Sequence, residues 1–311
     1  MARFIFQRAI RGLFTLWLVV TVVFVVLRFS GDPAEVMLGP EASPAALEAF
    51  RIRHHLNDSI PVQYGAYLLN VVRLDFGDSL NGGRPVTELF FSRVVATIQL
   101  GICAVIIALI VGIPSGIMAA LKRGSIWDRL SMGLAFIGQS APGFFVGIML
   151  ILIFSLRFKL LPSSGRGDFS HLIMPSLTLA TGLLATLARM SRSSLLEVIS
   201  ADYIRTARAK GLTRSTVITT HALQNAAIPV VTLLGLWLSA MIGGAAITET
   251  VFAWPGIGRL TINAIANRDY PLIQFIVIIV AASVVIINLL VDIAYGILDP
   301  RISTTGSSGG Q

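Results

Sequence analysis

The sequence has few charged residues for its length. Only 13% of its 311 residues are Asp, Glu, Lys or Arg, where a soluble domain has about 25%. Hydrophobic residues make up 55% of the chain and the mean hydropathy is +0.80, which places most of it in lipid. The net charge is +8, but the basic residues lie in short loops beside apolar runs. This is the positive-inside pattern of membrane proteins and argues against nucleic-acid binding.

Residues that carry chemistry are also scarce. The single cysteine, Cys103, lies in an apolar run and can form neither an internal disulfide nor a zinc cluster. No Gly-x-x-x-x-Gly-Lys-Ser/Thr motif is present, so the chain has no P-loop of its own. Ser115 and Ser140 fall within spans, but none of the four histidines does, which argues against an intramembrane serine protease. The histidines are His54, His55, His171 and His221. The sequence therefore predicts no catalytic residue, no metal ligand and no cofactor site.

Ionisable residues are nearly absent from the middle of the apolar runs. Carriers coupled to protons or sodium usually place carboxylates or arginines at that depth. Here the acidic candidates, Glu249 and Asp292, lie near the ends of runs. A secondary carrier is therefore disfavoured.

Six apolar runs are long enough to cross a bilayer, which takes about 20 residues as a helix. The first could also be a signal peptide, but no small-residue cleavage site follows it, so we expect a retained anchor. The sequence thus predicts an all-α membrane protein with six transmembrane helices. The runs are Gly12–Leu27, Ala96–Leu121, Leu130–Leu156, Leu172–Ala188, Ala226–Thr248 and Leu272–Tyr295.

The distribution of lysine and arginine predicts the orientation of these helices. Basic residues precede the first run and cluster between the second and third and between the fourth and fifth. The N-terminus, these two loops and the C-terminus are therefore expected in the cytoplasm. The loop after the first run, about residues 30–95, is then extracytoplasmic. A loop of this length is usually functional or disordered, and its aromatic and aliphatic content predicts a small ordered domain, the cap region.

The cytoplasmic loop from about Arg189 to Leu223 contains a predicted helix. Ala, Arg, Lys and Leu between Tyr203 and Leu212 favour a helix. Gly211 lies where a left-handed C-terminal cap belongs, and Thr213 or Ser215 can begin the next helix.

Two interpretations of this loop remain open from the residues alone. Arg205 and Arg208 share a face, and Ile204, Ala207 and Leu212 offer an apolar strip on which a partner could dock. Alternatively, the loop is a solvated charged segment that only sets topology. A pore-like protein with no energy source and a shaped cytoplasmic element favours a permease subunit driven by a separate ATPase. An ATP-independent channel or scaffold, or a secondary carrier, is the alternative.

Several motifs, in order along nearly the whole chain, carry a resemblance to a known family. The segment Asp202–Leu212 looks like the coupling-loop signature of bacterial ABC importer permeases in their dipeptide, oligopeptide and nickel group. It has Arg205-Thr206-Ala207 where the broader signature has Glu-Ala-Ala, a change that this group tolerates. Further similar segments are Phe29–Pro33, Pro61–Tyr64, Asp75–Ser79 with Gly83–Val86, His221–Ala226, Glu249–Phe252 and Trp254–Gly258.

The resemblance implies the type I importer permease fold of the first permease of such systems. Its coupling helix would lie between the fourth and fifth spans. It implies a second, homologous permease, two ABC ATPase subunits that bind ATP and magnesium, and an extracytoplasmic substrate-binding protein. The chain itself would not be an enzyme and would be a multi-pass protein of the bacterial inner membrane. The implied solute is a di- or oligopeptide, or a related solute such as glutathione, a nickel chelate or haem.

The resemblance also assigns residues and regions. The expected outer gate is made by Glu249, Trp254, Pro255, Gly256 and Gly258. The expected ATPase contacts are Asp202, Tyr203, Arg205, Thr206, Ala207, Lys210, Gly211 and Leu212. We expect four regions: an N-terminal tail with the first helix (1–29), the cap region (30–95), the permease core (96–300, with the coupling loop at about 189–223) and a disordered cytoplasmic tail (301–311).

Overall fold

The computed structural model is predominantly helical in the residues that it describes. These are residues 2–29, 31–39, 41–223, 225–227, 229–230, 233–234, 237 and 245–298. The chain divides into two compact units, Met1–Val95 with Gly256–Gln311, and Ala96–Pro255. The predicted fifth span and the tail at 301–311 lie largely or wholly outside the described residues. The predicted functional division into regions stays a prediction.

Among the described residues, four helices are long and apolar enough to cross a membrane. They are Ile10–Phe29, Val86–Leu121, Ser170–Ser200 and Tyr270–Leu289. They coincide with the first, second, fourth and sixth predicted spans, which confirms those runs as helices. The structure extends the fourth helix to Ser200, so the predicted loop at Arg189 begins twelve residues later than expected. The apolar run ends where arginines and serines begin, so hydropathy places the end of the helix there. The backbone hydrogen bonds of the helix nevertheless continue to Ser200.

The third predicted span is not one straight helix. The run Leu130–Leu156 is broken into Ile126–Ser140 and Gly143–Arg157, which meet at 105°. Pro142 lies at the break and has no N–H to continue the hydrogen bonds of the first helix. Counting this pair as one span gives five candidates among the described residues. A sum of hydropathy over the run could not show this change of direction.

The first unit contains six helices and the start of a seventh among its described residues. Its core is apolar, and Phe275 contacts Phe90 and Phe76 edge to face, with ring centroids 5.4 and 4.7 Å apart. The helices are α1 (Ala2–Phe29), α2 (Pro33–Leu38), α3 (Pro44–Arg53), α4 (Ile60–Arg73), the first turns of α5 (Val86–Leu121), α12 (Ile257–Ala266) and α13 (Tyr270–Leu298).

A buried carboxylate fixes the turn that precedes α5. Asp269, just before α13, is 1% exposed. It accepts hydrogen bonds from the hydroxyl of Ser79 and, at 3.1 Å, from the backbone N–H of Leu80. The turn before α5 is thus held by a residue 189 positions away.

Among its described residues, the second unit contains the rest of α5 and six further named helices, of which α8 is the most buried. A cluster of small and apolar residues lies between α5 and α8, including Ala104, Ala108, Leu183 and Leu187. The helices are α6 (Ile126–Ser140), α7 (Gly143–Leu150, continued by a π-helical turn Ile151–Arg157), α8 (Ser170–Ser200), α9 (Asp202–Ala209), α10 (Arg214–Thr216, continued by a π-helical turn Val217–Ala222) and α11 (Ala246–Val251).

Two glycines bring α5 against α8. A Cβ on Gly112 would lie 2.9 Å from the carbonyl oxygen of Leu184, and one on Gly116 only 2.3 Å from that of Ala188. Small residues four positions apart let membrane helices approach closely. The position of α8, which leads into α9, therefore depends on these glycines.

Candidate coupling helix and buried carboxylate

The candidate coupling helix follows the membrane helix α8 almost without a linker. α8 ends at Ser200, and Ala201 is extended (φ −71°, ψ 148°) before α9 begins at Asp202. The helix ends at Ala209, and Gly211 has φ +80°. The predicted helix and the left-handed conformation at its end are therefore present, because glycine has no Cβ to oppose a positive φ.

The next helix begins as predicted at Thr213. The hydroxyl of Thr213 accepts a hydrogen bond from the N–H of Thr216 at 3.3 Å, and its carbonyl accepts one from Val217 at 3.0 Å. This is the N-cap arrangement that satisfies the free N–H groups of a first turn.

One face of α9 packs into the unit itself. Ile204 is fully buried and Ala207 is 8% exposed. Both belong to a cluster with Ala120 of α5, Leu195 of α8 and Val217. The prediction that Ile204 and Ala207 form part of an apolar strip for a partner is therefore wrong. The sequence pattern identified an apolar face, but only neighbouring elements determine what covers it.

The other face of α9 is open. The side chain of Arg205 is 80% exposed and lies 3.5 Å from the carboxylate of Asp202. Exposed ion pairs of this kind add little stability, so the charges remain available to a partner. Of the eight predicted ATPase contacts, all except Ala207 are exposed: Asp202, Tyr203, Arg205, Thr206, Lys210, Gly211 and Leu212.

An ion pair that the sequence did not predict joins α6 to α8. The Nε and Nη2 atoms of Arg192 donate to the two carboxylate oxygens of Asp128 at 2.7 and 3.0 Å. The N–H of Gly124 donates to the same carboxylate at 2.9 Å, and Ser125 caps α6 by accepting from the N–H of Asp128. The sequence signals only the start of α6, because Ser125 is followed three residues later by an acidic residue, as is typical of a helix N-terminus. It does not indicate that Arg192 is the partner of Asp128.

The predicted outer gate contains a buried carboxylate. Glu249 of α11 is 0% exposed, and the hydroxyl of Thr97 donates to its Oε1 at 2.6 Å. The carbonyl of Glu249 accepts from the N–H of Trp254 at 2.7 Å. Both Glu249 and Trp254 are thus integrated in the packing of the second unit.

Trp254 anchors this region to α5. Its ring is 1% exposed, and its Nε1 donates to the carbonyl oxygen of Ala96 at 2.9 Å. Arg166 lies over the ring at 5.9 Å and donates to Gln99 at 3.0 Å. Pro255 is half-buried. The other two predicted gate residues belong to the first unit, where Gly256 precedes α12 and Gly258 is buried in its first turn.

A cavity of about 700 Å³ lies in the first unit against α4. Its lining has both cationic and anionic side chains, including Arg53 and Asp78. Gln63 Oε1 and the Tyr67 hydroxyl are buried without a hydrogen-bond partner among the described residues. Burial, with the neighbouring Tyr64, raises the pKa of Tyr67, so the phenol stays protonated and can donate. No group of three or more His, Cys, Asp or Glu residues in the described part of the chain could hold a metal ion.

Comparison with known families agrees with this architecture. Residues 112–304 match the family described as "Binding-protein-dependent transport system inner membrane component", and residues 1–100 match the corresponding N-terminal family. The chain belongs to this family. It is therefore a multi-pass inner-membrane permease subunit of an ABC importer. The interpretation of the 189–223 loop as a docking element stays a prediction.

Relatives of this permease are similar over nearly their whole length. The dipeptide transport system permease protein DppB of Escherichia coli K12 is 43% identical over 304 residues, covering 88% of this chain and 90% of the relative. The glutathione transport system permease protein GsiC of the same strain is 40% identical over 303 residues, covering 97% and 99%.

A solved structure shares the fold at lower identity. A chain of the inward-facing MetNI methionine ABC transporter aligns with a TM-score of 0.56 and 19% identity, covering 69% of this permease and 98% of that chain. Membership in the family implies ATPase and substrate-binding partners in general, since its members are components of binding-protein-dependent transport systems.

Proposed function

We propose that this permease imports short peptides at the expense of ATP and that α9 is the helix on which one ATPase subunit docks. The observation that carries the docking proposal is the division of α9 into two faces. Ile204 and Ala207 anchor the helix in the core, while Asp202, Arg205 and Lys210 remain exposed. A helix that is anchored in the core through one face and presents charged residues on the other is suited to transmit force from a bound partner.

The route for that force follows from the packing. Ile204 and Ala207 contact the cluster that contains Leu195 of α8 and Ala120 of α5. A displacement of α9 is therefore transmitted to two membrane helices. The Asp128–Arg192 ion pair extends the connection from α8 to α6. We infer that ATP-driven approach of the two coupling helices turns the pore outward through these contacts.

The proposed assembly contains a second, homologous permease, two ATPase subunits that bind ATP and magnesium, and an extracytoplasmic binding protein. The absence of a P-loop motif from the sequence supports separate ATPases. We propose six spans, with the fifth at Ala226–Thr248, both termini and α9 in the cytoplasm, and the cap region outside. The clustering of basic residues in the expected cytoplasmic loops supports this orientation.

The proposed solute is a di- or oligopeptide. Relatives named as dipeptide and glutathione permeases support it. The 700 Å³ cavity against α4 supports it too, because its lining has positively and negatively charged side chains and the neutral phenol of Tyr67. Such a lining suits a solute that carries both an ammonium and a carboxylate group. We propose that Glu249, Trp254, Pro255, Gly256 and Gly258 contribute to the outer gate through packing, since Glu249 and Trp254 are buried.

The coupling proposal is tested with two matched glycine substitutions. Gly211 and Gly124 both have positive φ (+80° and +77°), and a Cβ on either would meet nothing within 4 Å. Gly211→Asp changes the proposed ATPase surface, whereas Gly124→Asp introduces the same backbone strain and charge in the turn before α6.

The complex is reconstituted with its ATPases and binding protein, and ATP-driven uptake of a labelled dipeptide is measured. We expect Gly211→Asp to abolish uptake and release the ATPase in pull-downs. Gly124→Asp is expected to retain the ATPase, because its added carboxylate lies beside the Asp128–Arg192 pair and outside the proposed docking surface. Full uptake by Gly211→Asp would contradict the coupling role. If the wild type takes up solute without ATP, the proposed assembly with ATPase subunits is contradicted. If the complex imports another solute but no dipeptide, only the assignment of peptides as the solute is contradicted.

A further inference from the structure

The helix α4 of the cap region has no buried residue, although it is largely apolar. Its 14 residues contain one charged side chain, Arg73, in the last turn. Val62 is 57% exposed, Leu69 48% and Val72 81%. These three residues lie on one side of the helix because they are spaced by seven and three positions. A contiguous apolar face of this kind marks a surface that something covers.

The opposite side of α4 rests on the membrane helix α1. The hydroxyls of Tyr64 and Thr21 are 2.7 Å apart. The ring of Phe24 lies 5.2 Å from that of Tyr64 and 5.6 Å from that of Tyr67. α4 is thus placed against α1 through three aromatic rings and one hydrogen bond.

The position of these contacts along α1 gives their depth. The span Ile10–Phe29 has 20 residues, which as a helix is about 30 Å long and matches the hydrocarbon thickness. Phe29 therefore lies near one edge of the hydrocarbon, next to Arg28. Thr21 precedes Phe29 by eight residues, so it lies about 12 Å inside that edge. A single tyrosine side chain is shorter than this distance, so α4 itself must lie at or within the edge.

We propose that α4 is embedded in the membrane interface, with Val62, Leu69 and Val72 in contact with lipid acyl chains. On the same stretch of α1, the apolar residues Val22 and Val25 are exposed as well, at 50% and 44%, and the bilayer covers this span. A protein-docking surface usually has a polar rim, but no charged residue lies on α4 before Arg73. Arg73, at the end of the helix, can extend its guanidinium to the headgroups.

The backbone of α4 is compatible with this location. A segment at membrane depth must satisfy its own hydrogen bonds. α4 does so as a continuous helix. At its end the N–H of Leu74 donates to the carbonyl of Val71 at 3.2 Å, and the N–H of Asp75 donates to that of Asn70 at 2.9 Å. Interfacial helices lie in the membrane plane with the apolar face about 5–10 Å deep. The cap region is thus anchored to the bilayer and is not a freely exposed domain.

Site-directed spin labelling of the full chain in lipid nanodiscs tests the proposal. Cys103 is replaced by alanine, and a nitroxide is attached at Leu69→Cys or Val72→Cys. Val25→Cys on α1 serves as the lipid reference and Ala45→Cys, exposed on α3, as the aqueous reference. Collision rates with oxygen and with a water-soluble nickel chelate report the surroundings of each label.

We expect the nitroxides at positions 69 and 72 to collide more often with oxygen than with the nickel chelate, in the same ratio as the nitroxide at position 25. The nitroxide at position 45 is expected to collide mainly with the nickel chelate. Nickel-dominated collisions at 69 and 72 would overturn the proposal and leave the face for a protein partner.

A second measurement uses the unmodified chain and therefore does not depend on the folding of any variant. Phospholipids with a photoactivatable acyl chain are cross-linked, and the adducts are mapped by mass spectrometry. Adducts on residues 60–73 and none on residues 44–53 support insertion of α4. Absence of adducts from 60–73, with adducts present on α1, contradicts it.

Discussion

Arg192 of α8 binds the carboxylate of Asp128 of α6 through two hydrogen bonds of 2.7 and 3.0 Å. The Asp128 side chain is 8% exposed and that of Arg192 is 27% exposed. The pair holds the first half of the broken third span against the helix that leads to α9. Loss of one partner leaves the other charge poorly compensated, which is more damaging than loss of both.

Asp128→Asn and Arg192→Gln are each expected to destabilise the protein by about 3 kcal/mol. The double variant is expected to lose clearly less than the sum of the two, because no unpaired charge remains. Thermal unfolding in detergent of the wild type, both single variants and the double variant measures the coupling. Simple additivity of the two effects would show that the pair contributes no interaction of its own.

Gly116→Ala is expected to separate α5 from α8. Its methyl group would lie 2.3 Å from the carbonyl oxygen of Ala188, a backbone atom that cannot turn aside. The expected destabilisation is about 1–3 kcal/mol, as for an overpacked core. Gly182→Ala in α8 is the matched control, because a Cβ there meets nothing within 4 Å. We expect the control to be neutral or slightly stabilised. Equal unfolding midpoints for the two variants would refute the close-packing role of Gly116.

Asp269→Ala is expected to release the turn before α5. This substitution removes both acceptors used by Ser79 and Leu80. Trypsin should then cleave after Arg73 several times faster than in the wild type, with Asp269→Asn intermediate. Asp78→Ala provides the control, since Asp78 is exposed and adjoins the same turn. If both variants are cleaved at the rate of the wild type, Asp269 does not hold the turn.

The start of α8 should give an acid-dependent contribution to stability. Hydrogen bonds from Ser170 and then His171 lower the pKa of Asp168 from 3.8 to about 2. Because its pKa is lower in the folded state, the carboxylate adds stability that is fully present above its ordinary pKa. That stability is lost as the pH falls through 3.8 towards 2. The midpoint of thermal unfolding should therefore fall less steeply over this window in Asp168→Asn than in the wild type. Parallel curves for the two proteins would argue against the assignment.

Part of the fold follows from local sequence. Four spans are helical where the apolar runs lie, since burial in lipid leaves the backbone no alternative to its own hydrogen bonds. Gly211 has a positive φ just after α9, and Thr213 caps the start of α10. Both features were predicted because they depend on a single residue and its neighbours. The family also was evident from motifs such as Asp202–Leu212, which depend only on order along the chain.

Other features required contacts between distant residues. The break at Pro142 gives a 105° bend, which depends on what the two halves pack against. Ile204 and Ala207 were expected to face a partner but are buried by Leu195 and Ala120. The partner of Asp128 is 64 positions away and was not predicted.

The sequence by itself determined that this protein is a helical membrane permease with a short basic helix after its fourth apolar run, because hydropathy, capping and motif order are local properties. The tertiary structure decided which face of that helix is available, which charges are paired and how α4 rests on α1. Those outcomes depend on which surfaces meet, since an apolar side chain is removed from water whether lipid, a partner or the protein's own core covers it.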